Sequence, residues 1–150
     1  FDSALRQALD SEETLRYNQM RSFDPPHELK AFLDTFDVTF ERKKEQARLT
    51  VNADDKTLRN YLGTYFPRSF GQVRSVYHEI FSNSHVAAKL KLGEKINVFS
   101  FGIGTAGDVV GLIYALSKAI PNVSEINVLG IDANQQALSY ADKILKKHKN

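Results

Sequence analysis

Cysteine is absent from the 150-residue chain, which excludes disulfides and thiolate metal sites. A surplus of one charge is missing too. The net charge of +2 is too mild to argue for nucleic-acid binding by the chain as a whole, although a local basic face stays open. No apolar run approaches the roughly 18 residues of a membrane span. The start, "FDSALRQALDSEE", is acidic and amphipathic and lacks the apolar core of a secretory signal. His27, His78, His85 and His148 show no metal-ligand spacing, and no Ser/His/Asp arrangement stands out. Internal repeats and low-complexity segments are likewise missing. What remains is a chain 42% apolar and 25% charged, a globular composition. These absences lead us to expect a soluble, cytoplasmic protein with no membrane contact.

What is present divides into two parts. Residues 1–92 read as a helical region. Leu5, Ala8, Leu9 and Leu15 form a loose stripe. In "SFDPPHELKAFLDTFDVTF", Asp24 can cap and Pro25 suits a first turn, with Leu29, Phe32, Leu33, Phe36 and Phe40 at helical spacing. A helix is expected from Asp54 or Asp55, with Leu58, Tyr61, Leu62 and Tyr65 on one face and an interruption at Pro67. Ser69 and Gln72 can form a capping box for a further helix, along which Phe70, Val73, Tyr77, Ile80 and Phe81 continue the stripe. "KLKLGEK" (89–95) reads as a polar connector.

From residue 93 the pattern changes. "INVFSF" (96–101) and "INVLGID" (126–132) read as buried strands. Between them, Val109, Leu112, Ile113, Leu116 and Ile120 mark a helix face. After the second strand Asn134 can cap a helix that faces inward with Ala137, Leu138, Ala141, Ile144 and Leu145. Strand–helix–strand–helix predicts an α/β fold with a parallel sheet and a right-handed crossover.

The first strand runs into "FSFGIGTAGD" (99–108), which carries G-x-G-x-x-G at Gly102, Gly104 and Gly107. Between a strand and a helix this pattern suits a nucleotide-like ligand. The first glycine allows a tight turn, the second lets a ligand approach the backbone and the third permits close helix–strand packing. The alternative is a turn chosen for packing alone. Asp132 ends the second strand. Parallel strands that start together end together, so Asp132 is expected beside the turn, where its carboxylate can accept from both hydroxyls of a ribose. The alternative is a helix cap.

"VFSFGIGTAGD" followed by "VLGIDANQQALSYADKIL" resembles the first two motifs of class I S-adenosylmethionine-dependent methyltransferases. The likeness covers about residues 96–147. It implies a Rossmann-like domain over 93–150, with Ser100, Phe101, Gly102, Gly104, Thr105 and Gly107 around the methionine end of S-adenosylmethionine. It further implies Asp132 on the ribose and Ala133 against the adenine. Such a fold uses a larger sheet, so the two strands here imply an incomplete one. The chain is then expected to bind cofactor but to be inactive alone. Its catalytic residues and methyl acceptor stay unassigned. Methyl transfer itself depends mainly on alignment of donor and acceptor.

The likeness departs at Ser100, where that family usually carries an acid. Either another acceptor replaces it, such as Asp108 or a backbone carbonyl, or affinity is low. A nicotinamide dinucleotide oxidoreductase therefore stays open, as does an inactive scaffold bound to RNA or the ribosome. "YLGTYFPRSFGQVRSVYHEIF" (61–81) is similar to methyltransferase-like proteins associated with small ribosomal subunits. That likeness implies a segment folded over the cofactor, with Arg68 on the methionine carboxylate; a solvated arginine is the other reading. The basic runs "ERKK" (41–44) and "KILKKHK" (143–149) read first as solvated faces.

Overall fold

The structure is a computed structural model and describes residues 26–39, 51–90 and 95–147. Within them the chain forms α1 (His27–Asp34), α2 (Asp55–Ser82), α3 (Ser84–Leu90), β1 (Lys95–Phe101), α4 (Gly107–Ala119), β2 (Glu125–Ile131) and α5 (Gln135–Lys147). The expected features at Leu5 to Leu15, Asp24, Pro25, Phe40 and 41–44 lie outside the described residues, as do His148 and Lys149. No helix among the described residues is long and apolar enough to cross a membrane.

β1 and β2 pair in parallel from Lys95 opposite Glu125 to Phe101 opposite Ile131, linked through α4. Inward residues Val98 and Val128 meet Val109 and Ile113 of α4 and Leu138 and Ala141 of α5. The expectation of fully buried strands is corrected: among the described residues, helices cover only one face of the sheet. Phe99, Leu129, Phe101 and Ile131 are exposed on the other. The apolar run misleads because it places large apolar residues on both faces of a pleated strand, whose side chains alternate.

The helical region also departs from expectation. Pro67 does not interrupt; α2 runs through it for 28 residues. Ser69 and Gln72 are interior positions and cap nothing. Asp54 is the N-cap and accepts a hydrogen bond from the Thr57 amide at 2.8 Å. A mid-helix proline costs about 3 kcal/mol. Leu58, Leu62, Phe66 and Phe70, spaced by four, are all buried on one side of α2. At roughly 1.5–3 kcal/mol for each such side chain, their burial outweighs that cost.

α1 stops at Asp34, short of the expected Phe36. Thr35 caps its end, and Asp37 adopts a left-handed φ of 51° that a helix cannot continue through. Phe36 still packs into the core, edge-on to Tyr140 of α5.

The helical region and the strand–helix units share one core. Leu29 and Leu33 of α1 and Leu62, Phe66 and Phe70 of α2 cluster with Val110 of α4 and Ile144 of α5. Gly107 and Gly111, one turn apart on α4, make this approach possible. A Cβ at Gly111 would lie 2.5 Å from the Phe70 carbonyl oxygen, and one at Gly107 would lie 2.8 Å from that of Phe66. The third glycine of the motif thus seats helix on helix, not helix on strand as expected. A polar clasp completes the seam. Tyr140 of α5 donates to Asp55 of α2, and Arg59 pairs with both Asp55 and Asp37.

Candidate functional site

β1 delivers the chain to the glycine turn. Gly102 and Gly104 have φ of 71° and 53°, and Ala106 follows at 67°. The amides of Gly102 and Ile103 both donate to the Ile131 carbonyl oxygen, at 2.8 and 3.1 Å, which fixes the turn to the end of β2. Asp132 comes next in the chain. One of its carboxylate oxygens accepts from the Gly104 amide and the other from the Asn134 amide, each at 2.8 Å. The cap of α5 is Asn134 itself, whose side chain accepts from the Ala137 amide at 2.8 Å. Asp132 therefore ties the two loops at the C-terminal end of the sheet together.

Gly104 is demanded by conformation as well as by space. At φ 53° an L-residue is strained, and its Cβ would stand 3.1 Å from the Tyr61 hydroxyl. Gly104→Ala is expected to destabilise the chain by about 1–2 kcal/mol, because the backbone strain remains after Tyr61 steps aside. Denaturant titration checks this; an unchanged midpoint would place residue 104 outside the left-handed region.

A cavity of about 160 Å³ lies between the turn and α2. Gly102, Thr105, Gly107 and Asp108 line one side, and Tyr61 and Ser69 the other. Ser100 is buried and donates to the Asp108 carboxylate at 3.3 Å. A carboxylate thus stands directly beside Ser100. Tyr61 stacks on Tyr65 with ring centroids 5.1 Å apart. Burial first, then Asp108 and Asp132, and then Tyr65, push the Tyr61 phenol above its ordinary value, so it stays protonated at neutral pH.

The candidate residues are only partly brought together. Gly102, Thr105 and Gly107 line the cavity, Ser100 reaches it through Asp108, and Gly104 is joined to Asp132. Phe101 is 83% exposed and lies on the open sheet face. Ala133 is exposed beside Asp132. Arg68 is exposed on α2 and is not among the cavity residues. Sequence reasoning missed Tyr61 and Ser69 as site residues. It placed Tyr61 in a core stripe and Ser69 in a cap; their separation of two α-helical turns on α2 was the available signal. No group of His, Cys, Asp or Glu suited to a metal ion occurs among the described residues.

At the basic end of α5, much of the charge is engaged locally. Lys146 pairs with Asp142, and Lys143 and Lys147 lie over the rings of Tyr140 and Phe32. Compared with protein-family models, curated proteins and solved structures, the chain shows no significant match.

Proposed function

We propose that the glycine turn and Asp132 form the cofactor site of a Rossmann-like, methyltransferase-type domain that binds S-adenosylmethionine. The observation that carries this reading is the Gly104–Asp132 hydrogen bond, 2.8 Å long, beside a cavity into which Asp108 opens. It joins the two motifs of the resemblance at one end of a parallel sheet, where ligands of α/β folds bind. Gly102, Thr105 and Asp108 would hold the amino-acid end, and Asp132 the ribose. When bound, this cofactor supplies an activated methyl group. At about 160 Å³ the cavity suits one end of such a ligand, since whole drug-sized ligands occupy roughly 300–1,000 Å³.

Charge favours this ligand over a nicotinamide dinucleotide. A pyrophosphate needs free amides and a positive field at the helix start. Here the Gly104 amide is taken by Asp132, and Asp108 sits in the first turn of α4. A ligand bearing an ammonium and a sulfonium group suits those carboxylates. Isothermal titration calorimetry with S-adenosylmethionine and with a nicotinamide dinucleotide tests the reading. Binding of the first and not the second is expected; the reverse pattern would sink the proposal.

A further inference from the structure

The cavity between α2 and the glycine turn has walls of two chemistries. Asp108 offers a carboxylate, which only accepts. Tyr61 and Ser69 of α2 and Thr105 of the turn offer three hydroxyls, each able to donate. Thr105 is 2% exposed, and none of the three hydroxyls has a hydrogen-bond partner among the described residues. Buried polar groups are nearly always paired, so an unpartnered hydroxyl at a void points to a polar ligand there. Tyr61 is the best placed of the three. Its hydroxyl stands 3.1 Å from where a Cβ on Gly104 would lie, so a ligand that reaches the second glycine meets it. The stack on Tyr65 holds the ring. Burial above all keeps the phenol protonated, so at neutral pH it is a donor.

We infer that Tyr61, with Ser69 two turns further along α2, binds the carboxylate of the ligand's amino-acid end. This rests on the cofactor reading above, which brings the amino-acid end to the cavity but gives its carboxylate no partner. An α-amino acid presents an ammonium that only donates and a carboxylate that only accepts. Asp108 can serve only the ammonium. The carboxylate needs donors, and the side-chain donors lining the cavity are the three hydroxyls. The family likeness implied Arg68 for this role. Arg68 is exposed and lines no part of the cavity, whereas its neighbour Ser69 does. Successive helix residues point about 100° apart, so one of the two turns to the cavity and the other away. A zwitterionic end has no net charge, so the acids near Tyr61 do not repel it as a whole.

Calorimetric titration of the full chain with two ligands isolates this contact. S-adenosylhomocysteine carries the carboxylate, and its decarboxylated analogue lacks only that group. Contacts to the shared parts cancel in the ratio of the two affinities. The unaltered chain is expected to bind S-adenosylhomocysteine about tenfold more tightly or better, because hydrogen bonds to a charged acceptor are the strong ones. Tyr61→Phe keeps the ring and removes the donor. It is expected to weaken S-adenosylhomocysteine about tenfold and to leave the analogue within about twofold, with circular dichroism confirming the fold. Ser69→Ala, which favours the helix, is expected to show the same selectivity at about threefold. Equal binding of the two ligands by the unaltered chain overturns the inference and leaves the cofactor reading standing. So does a Tyr61→Phe variant that loses both ligands equally, or neither. A selective loss in Arg68→Ala with none in Tyr61→Phe returns the carboxylate to Arg68 and overturns the inference as well. If neither ligand binds, the cofactor reading fails and this inference fails with it.

Discussion

Phe70→Ala is expected to lower the unfolding free energy by about 3–5 kcal/mol, a large share of the roughly 5–15 kcal/mol that holds a domain together. Phe70 is fully buried at the centre of the shared core. Its ring meets Tyr114 of α4 edge-on with centroids 5.4 Å apart, and the Arg74 guanidinium lies 5.8 Å above it. The hole left by alanine cannot close easily. The two helix backbones already touch, with no space for a Cβ between Gly111 and the Phe70 carbonyl. Urea unfolding followed by circular dichroism measures the loss. A change under about 1 kcal/mol would mean that α2 does not seat on α4 in this way, because buried Phe→Ala changes are normally far costlier.

Asp132→Ala is expected to act on folding and on binding together. The carboxylate accepts two amide hydrogen bonds, from Gly104 and Asn134. Hydrogen bonds to a charged group contribute about 1.5–3 kcal/mol each, and partial solvent access lowers the sum, so a stability loss of about 2–3 kcal/mol is expected. Asp132→Asn keeps one good acceptor and should lose about half as much. If the residue also holds the ribose, ligand binding by the folded alanine variant should weaken by about 1.5–3 kcal/mol more. Thermal unfolding and calorimetry on the same variant separate the two effects. Unchanged stability would show that the loops do not depend on this carboxylate; unchanged affinity would remove Asp132 from the ligand.

Local rules located much of this. Asn134 caps α5 as its residue type predicts, and the turn glycines sit where a strand must reverse into a helix. The placement of Asp132 beside the turn needed only the geometry of two parallel strands. Where reading failed, tertiary contacts overrode a local signal. Pro67 is a helix breaker by its own chemistry, yet four buried side chains keep α2 intact around it. Gly107 looked like part of a ligand cradle, and its missing Cβ also admits the backbone of Phe66.

Composition, periodicity and the spacing of glycines and caps, all properties of neighbouring residues, determined the α/β class and the position of the turn. The cavity wall was decided only in three dimensions. Tyr61 and Ser69 reach the turn because α2 lies along α4. That contact depends on two bare glycine backbones facing two phenylalanines far away in the chain, a match between surfaces that no local pattern encodes. The same holds for the sheet. Strand periodicity gives two faces, but only packing decides which is covered, and α4 and α5 both lie against Val98 and Val128.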